Sequence, residues 1–407
     1  MADNSKTKDY DAWQHTMLMY CLYKGDISLW NHWRDRNPQT PILLQSADLW
    51  NANLQDTKLN GANLQGAKLS GANFKGAKLG IANFKGAELW NVNLQGAKLG
   101  IANLQEAKLW KTNLQEAKLW KTNLKRAYLR NANLKGAKLW KANLQEADLW
   151  NADLQNADLG EANLQDAKLW NANLKEAKLW NANLKGAKLW NADLQGAKLG
   201  IANLQGAKLG KANLNGADLW NANLQDADLS EADLQGAKLW KANLQGANLG
   251  NANLQGAKLW NARLEGAFLG KANLKEAYLR SASLQNADLD EVNLQKADLW
   301  KANLEGAKLG VANLKGTKIW TANLKSVKFN LSQLDGMTTI TNCQFDNDTD
   351  FTGVGLDTAA IDPDLKAAFK NNIRRIKWKE WFEKGEWPEK LIKDIFIRPF
   401  WWMTDYG

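Results

Sequence analysis

From Leu44 to Phe329 an apolar residue stands at every fifth position, giving 58 consecutive five-residue units in which only Phe74, Phe84, Ile319 and Phe329 replace leucine. Alanine usually stands two residues earlier, and the other three positions are mostly polar. Ala182-Asn183-Leu184-Lys185-Gly186 followed by Ala187-Lys188-Leu189-Trp190-Asn191 is a clean pair of units. Neither 3.6 nor 2 divides five, so neither an amphipathic helix nor a flat alternating strand keeps leucine on one side. A short extended piece followed by a corner does. Four such units close a square turn of about 20 residues, with leucine and alanine pointing in and three positions in water. A fixed internal period of this kind predicts one elongated repeat domain with caps, in place of the two or three ordinary domains that the length would otherwise suggest. At a strand spacing of about 4.8 Å, some 14 to 15 coils make a rod roughly 70 Å long.

The flanks depart from the period. Residues 1–40 carry Trp13, Met17, Met19, Leu22, Leu29, Trp30 and Trp33 at roughly helical spacing around Gly25-Asp26, which predicts two helices covering the open end of the stack. After Leu334 the period slips: Ile340 and Phe345 fall one residue late and Phe351 slips again, so the last coils are expected to be irregular. Asp362-Pro363 supplies an N-cap and a first-turn proline for a helix with Leu365, Phe369, Ile373 and Ile376 on one face, ending near Gly385. A second helix is expected over 388–397, before the tail Arg398-Pro399-Phe400-Trp401-Trp402. The domain reading is thus a helical cap over 1–40, repeats over 41–356, and C-terminal helices with an aromatic tail over 357–407.

The outward positions are less uniform than the core. All 14 tryptophans of the repeats directly follow the central Leu or Ile, at numbers divisible by ten, which places them on two opposite faces of a square coil. One face holds Trp50, Trp90, Trp110, Trp150, Trp170 and Trp190. The other holds Trp120, Trp140, Trp180, Trp220, Trp240, Trp260, Trp300 and Trp320. Adjacent rungs such as Trp220, Trp240 and Trp260 are expected within the roughly 4.5–7 Å of favourable aromatic pairs, zipping coils together, with Lys188-type neighbours folded over the rings. Exposed, the same ladders form a stripe for a partner. Lys118, Lys138, Lys178, Lys238, Lys258 and Lys318 accompany the second ladder, with Asp158, Asp218 and Asp298 breaking the like-charged column.

Net charge is +10, of which +9 falls between residues 46 and 356. Spread over so long a surface, this argues against a dedicated nucleic-acid binder, which clusters its basic residues. Cys21 and Cys343 sit far apart, without metal or disulfide spacing. His15 and His32, both in the N-terminal segment, match no catalytic or metal pattern and are expected to pack within the cap. A convex rod offers no deep pocket in which a pKa could be tuned, so no enzyme, cofactor or metal is expected.

The A(N/D)LXX phrase, running from Ala47-Asp48-Leu49 to Ala322-Asn323-Leu324, resembles the pentapeptide-repeat family over about 70% of the chain. Thr57, Val92, Thr112, Thr122, Val292, Thr317 and Val327 depart from its small inward residue, and lysine often stands where the family has Asn or Asp. The resemblance implies an all-β solenoid, a right-handed quadrilateral β-helix with helical caps. Trp30-Asn31-His32-Trp33-Arg34 and Gly353-Val354-Gly355-Leu356-Asp357 resemble flanks in bacterial members, some of which continue into channel-like transmembrane helices; this chain stops short of one. Relatives that inhibit topoisomerases by mimicking DNA need an acidic surface, unlike this one.

The resulting expectation is a cytoplasmic, non-enzymatic scaffold that binds a macromolecular partner through its side faces or C-terminal helices. Its rival is a soluble module of a channel-like membrane protein. Candidate partner-binding residues are Trp110, Trp150, Trp170 and Trp190 on one face and Trp180, Trp220, Trp240, Trp260, Trp300 and Trp320 on the other. Arg398, Trp401 and Trp402 are candidates for membrane contact, and the C-terminal helices for self-association.

Overall fold

In the computed structural model, which describes residues 11–384 with side chains to 373, the five-residue units wind into a right-handed quadrilateral β-helix. Every unit pairs in parallel with the unit 20 residues on, from Leu43↔Asn63 to Asn313↔Gln333. Central leucines and the alanines before them are buried along the rod, with Ala52 in the first coil partly buried. Each buried leucine contributes on the order of 1.5–3 kcal/mol.

One unit shows how the backbone is satisfied. In Ala182–Gly186, the Asn183 N–H donates to Ala162 O of the preceding coil at 2.9 Å, while the Leu184 and Gly186 N–H groups donate to Asn203 O and Gln205 O of the following coil at 2.7 and 2.9 Å. Ala182 closes the corner by donating to Leu179 O at 3.0 Å. The remaining donor, Lys185 N–H, meets Asn183 Oδ1 at 3.2 Å. That asparagine also donates from Nδ2 to Asn163 Oδ1 at 3.1 Å, so the polar column is a hydrogen-bonded ladder. Five donors thus find five acceptors, as buried and half-buried backbone requires.

The corner demands a left-handed residue two places after the leucine. Gly186 adopts it with φ 65°, and so do non-glycine residues, including the β-branched Ile81 (φ 62°), Ile101 (φ 64°), Ile201 (φ 61°) and Val311 (φ 57°). L-residues there cost roughly 1–2 kcal/mol, a strain that the inter-coil hydrogen bonds override.

The larger inward residues do not disturb the register. Thr112, Thr122 and Thr317 send their hydroxyls to Leu89 O, Leu99 O and Leu294 O of the preceding coil at 2.7, 2.9 and 2.8 Å. Thr57 has no repeat coil before it and turns to Leu54 O within its own unit, at 2.6 Å.

Two helices, α1 (Ala12–Lys24) and α2 (Ser28–Arg36), cap the first coil, with Gly25 at φ 66° ending α1. They answer donors and acceptors that would otherwise face water. Gln14 Oε1 accepts from Leu43 N–H at 2.8 Å, Asn31 Oδ1 from Lys58 N–H at 2.8 Å, and the buried Trp30 donates to Lys58 O at 3.1 Å. Arg34, also buried, holds the link to the first strand through Asn37 O and Thr40 O. Leu18, Cys21 and Trp30 are the residues that turn fully inward, whereas Trp13, Met19 and Leu29 lie exposed. His32 is exposed on α2 in place of the expected packing position, because that face of the helix looks away from the coil.

At the other end the coils lengthen. The strands β1 (Lys318–Trp320), β2 (Thr339–Thr341) and β3 (Ala360–Ile361) pair in parallel with a 21-residue offset, and Lys328 pairs with Asp350 across 22 residues. The extra residues sit in two matching turns. Asp335 Oδ1 accepts from Thr338 N–H at 3.0 Å and from Gly316 N–H of the coil before at 2.8 Å; Asp346 does the same for Ser326 N–H at 2.8 Å. Burial opposes charge on both carboxylates, but these hydrogen bonds outweigh it and hold them below the usual range. The solenoid thus reaches Ile361, beyond the expected boundary at 356. Helix α3 (Pro363–Lys384) then folds across the last coil, with Phe369 buried 4.0 Å from the Phe351 ring and Asn372 donating to Asp346 O at 2.7 Å. The Asp362 carboxylate, expected to cap this helix, instead accepts from Asn342 N–H at 2.9 Å and ties the helix start to the coil. The expected second helix over 388–397 and the Ile376 side chain lie outside the described residues.

Two outcomes test this account. Ala187→Leu places a large side chain at a fully buried corner, and is expected to cost about 1–3 kcal/mol and lower the melting temperature. Ile201→Gly relieves the strained, exposed corner and is expected to raise the melting temperature, by up to about 1 kcal/mol of net stability after the entropy cost of glycine. Thermal unfolding followed by circular dichroism reads both; no change in the first, or a loss in the second, contradicts the corner geometry.

Candidate functional site: two aromatic faces

The 20-residue coil places the tryptophans as expected, on two opposite faces, and most are exposed, from 37% at Trp260 to 68% at Trp50. They are not uniform stacks. Among the described residues only Trp240 and Trp260 stack as neighbouring rungs, at 5.6 Å and 6°. Elsewhere two other arrangements prevail. Beside a ladder glycine the ring sits against the neighbouring coil, in the space a side chain would take. A Cβ at Gly100 would come within 2.3 Å of the Trp120 ring, and one at Gly160 within 2.7 Å of Trp180, while Trp220 lies over Gly200. Because Trp220 turns toward Gly200, it does not stack on Trp240.

Elsewhere a cation covers the ring. Lys188 lies 5.8 Å over Trp170, Lys211 5.8 Å over Trp190, and Lys141 4.3 Å over Trp140. Trp320 donates its indole N–H to Thr339 Oγ1 at 2.6 Å. In the lysine column, Lys118 pairs with Lys138 and Lys238 with Lys258 in neighbouring coils, and Asp158, Asp218 and Asp298 separate the runs. Those aspartates also accept the backbone N–H two residues on, at 3.3 Å for Trp220 and 3.1 Å for Trp300, a bond that lysine cannot make.

On the first face the side chains frame an elongated groove of about 580 Å³ that crosses four coils. Trp90, Trp110, Tyr128 and Trp150 wall it, and Lys108, Arg130 and Asn131 complete the lining. Arg130 occupies a ladder position between Trp110 and Trp150. Its guanidinium lies 5.3 Å over Trp150, with Nε 2.6 Å from Asp148 Oδ2. Lys108 sits 5.5 Å over Trp90 and 3.1 Å from Glu88, and Lys111 4.9 Å over Trp110. Cations thus lie over Trp90, Trp110 and Trp150, and among the described residues none of these rings stacks on another.

The same constellation recurs 150 residues later. Trp240, Lys258, Trp260, Tyr278, Arg280 and Trp300 stand at the positions of Trp90, Lys108, Trp110, Tyr128, Arg130 and Trp150. An offset of 150 residues is seven and a half coils, so the copy faces the opposite way. Arg280 again binds Asp298 at 2.6 Å and lies 6.0 Å over Trp300. Here Asn261 replaces Lys111 and Lys238 replaces Glu88, and the first two rings close on each other, with Tyr278 edge-on to Trp260 at 6.2 Å. The Trp240 indole N–H is left buried without an acceptor.

Trp110, Trp150, Trp240, Trp260 and Trp300 therefore belong to two matched clusters, whereas Trp170, Trp180, Trp190, Trp220 and Trp320 lie along the ladders outside them. Tyr128, Arg130 and Arg280 were not singled out from the sequence. The signal was there: Tyr128-Leu129-Arg130 and Tyr278-Leu279-Arg280 break the Lys-Leu-Trp phrase in the same way. Arg398, Trp401 and Trp402 lie outside the described residues.

Among the described residues no group of His, Cys, Asp and Glu could hold a metal ion, and no helix is long and apolar enough to cross a membrane. Burial pushes the Cys343 thiol up to about 11, where it stays protonated and unreactive.

No curated protein matches the chain. Among solved structures it is similar to HetL, a pentapeptide repeat protein involved in heterocyst differentiation regulation from the cyanobacterium Nostoc, with 42% identity over 49% of this chain and 87% of that one and a TM-score of 0.35. It is similar to QnrB1, a plasmid-mediated fluoroquinolone resistance protein, with 16% identity over 51% and 92% and a TM-score of 0.37. A pentapeptide repeat protein of the Arabidopsis thaliana thylakoid lumen shares 33% identity over 26% and 71%, with a TM-score of 0.19. The family model for pentapeptide repeats matches over 43–80, 82–120, 122–161, 162–200, 202–240, 232–270 and 272–310, the same units that build the coils. The chain belongs to the pentapeptide-repeat family.

Proposed function

We propose that this protein is a non-enzymatic scaffold that holds a protein partner along its tryptophan ladders. One observation carries the reading: the solenoid fills its core with leucine and alanine, yet places 14 tryptophans outside it, confined to two faces. A fold that needed only stability would gain little from exposing its largest apolar side chains, and contiguous exposed aromatic surface marks interaction sites. The flanking cations favour the same reading. They lie over the rings and keep them soluble and accessible, while the acidic partners of Lys108, Arg130 and Arg280 cancel much of the local charge that a polyanion would require.

Replacing Trp150, Trp170 and Trp190 together by serine tests the reading, with parent and variant used side by side as bait in extracts of the native cell. The expected outcome is an unchanged solenoid by circular dichroism and loss of a defined protein that the parent retains. Equal capture by both, with the variant folded, refutes the ladder as the contact face.

A further inference from the structure

The groove between Trp90 and Trp150 and the matched cluster between Trp240 and Trp300 share six residue identities at a constant offset of 150, including a Tyr-Leu-Arg phrase that stands nowhere else in the sequence. We infer that they are two copies of one binding site for a proline-rich, extended segment of a partner protein, set on opposite sides of the rod so that one molecule engages two such segments. The inference rests on the ladders being contact faces and adds to it the ligand and the valence.

Three features of the groove select the ligand. The first is polarity. The indole N–H groups of Trp90, Trp110 and Trp150 donate to no protein acceptor among the described residues, and Lys108 and Arg130 add further donors. The nearby carboxylates of Glu88 and Asp148 are already occupied by those two cations, at 3.1 and 2.6 Å. Asn131 Oδ1 and the Tyr128 hydroxyl can accept, but the indoles and cations weight the lining toward donors; such a site suits a ligand with carbonyl oxygens and few N–H groups, which describes a polyproline II segment.

The second feature is charge. In the first groove, Lys108 with Glu88 and Arg130 with Asp148 leave little net charge to hold a nucleic-acid backbone; in the second cluster the Arg280–Asp298 pair remains, while Lys238 stands where Glu88 does. The third is pitch. Trp110 and Trp150 stand two coils apart, about 9.6 Å at the usual strand spacing. A polyproline II helix turns once in about 9.3 Å, so every third residue of a segment lying along the rod meets an equivalent ring. Grooves lined by aromatics are the general means of recognising such segments, because the ligand is stiff before it binds.

The second copy supports an acceptor-bearing ligand independently. Its Trp240 indole N–H is buried with no partner, an arrangement that native proteins avoid. A ligand carbonyl entering between Trp240 and Trp260 would supply the missing acceptor and part the stacked pair. The offset of seven and a half coils separates the two sites by roughly 36 Å along the axis and by half a turn around it, too far for one short segment to reach both.

The test is a titration of the full chain with a labelled oligoproline of about ten residues, followed by anisotropy and calorimetry, beside a glycine-serine peptide, an oligothymidylate and a neutral glucan oligosaccharide. Two equivalents of oligoproline are expected to bind the parent, one to Trp110→Ala, one to Trp260→Ala and none to the double variant, each loss weakening its site at least about tenfold. Both rings are substantially exposed, so the variants should melt as the parent does. Absence of oligoproline binding by the parent, or its retention by the folded double variant, overturns the inference. So does preferential binding of the oligothymidylate or the glucan. If the serine variants above still lose their partner while oligoproline fails to bind, the ladders remain contact faces and only the ligand assignment falls.

Discussion

Every coil of this molecule must present its backbone N–H and C=O groups to the coils on either side, and the rest of the structure follows from that obligation. Three of the five donors in a unit go to neighbouring coils and one closes the corner. Only the residue after the leucine is left over, and an Asn or Asp two places before it in sequence supplies the acceptor. The same demand fixes the left-handed corner even where Ile or Val occupies it, and it makes the ends expensive. Helices α1 and α2 meet the cost at one end with side chains of Gln14, Asn31 and Trp30, and Asp362 with α3 does so at the other.

Because leucine packing and four of the five backbone donors of each unit need no outward side chain, the surface is free to differ from the core in its logic. The asparagine faces spend that freedom on ladders that bind coil to coil. The intervening faces spend it on aromatics and cations. Glycines such as Gly100 and Gly160 show that part of the aromatic surface is itself packed, since they form the seats on which Trp120 and Trp180 lie. The clusters around Trp110 and Trp260 are where the rings are not seated in this way.

The coil was legible in the sequence because a leucine at every fifth residue admits few geometries, and the two tryptophan faces followed from counting in twenties. The Asn183-type ladder was not, since its role appears only when coils are stacked and the leftover donor is counted. Nor was the difference between the two grooves. Lys111 lies over Trp110, whereas Trp260, beside Asn261, stacks on Trp240, a matter of side-chain rotamers rather than of period. The lengthened last coils were visible as slips at Ile340 and Phe351, but the turns built on Asp335 and Asp346 that absorb them emerged only from the hydrogen bonds.

The alternation of asparagine faces with tryptophan faces has a consequence for how such a gene can grow. The smallest insertion that restores face type is two units, and it carries everything beyond it through half a revolution; four units restore the phase entirely. Slippage of the DNA by an odd number of ten-residue blocks would therefore copy a surface feature onto the far side without disturbing a single hydrogen bond of the core. The 150-residue spacing of Tyr128-Leu129-Arg130 and Tyr278-Leu279-Arg280 is fifteen such blocks. A rod of this kind can become two-sided through replication error alone, with selection left only to decide whether the second side is kept.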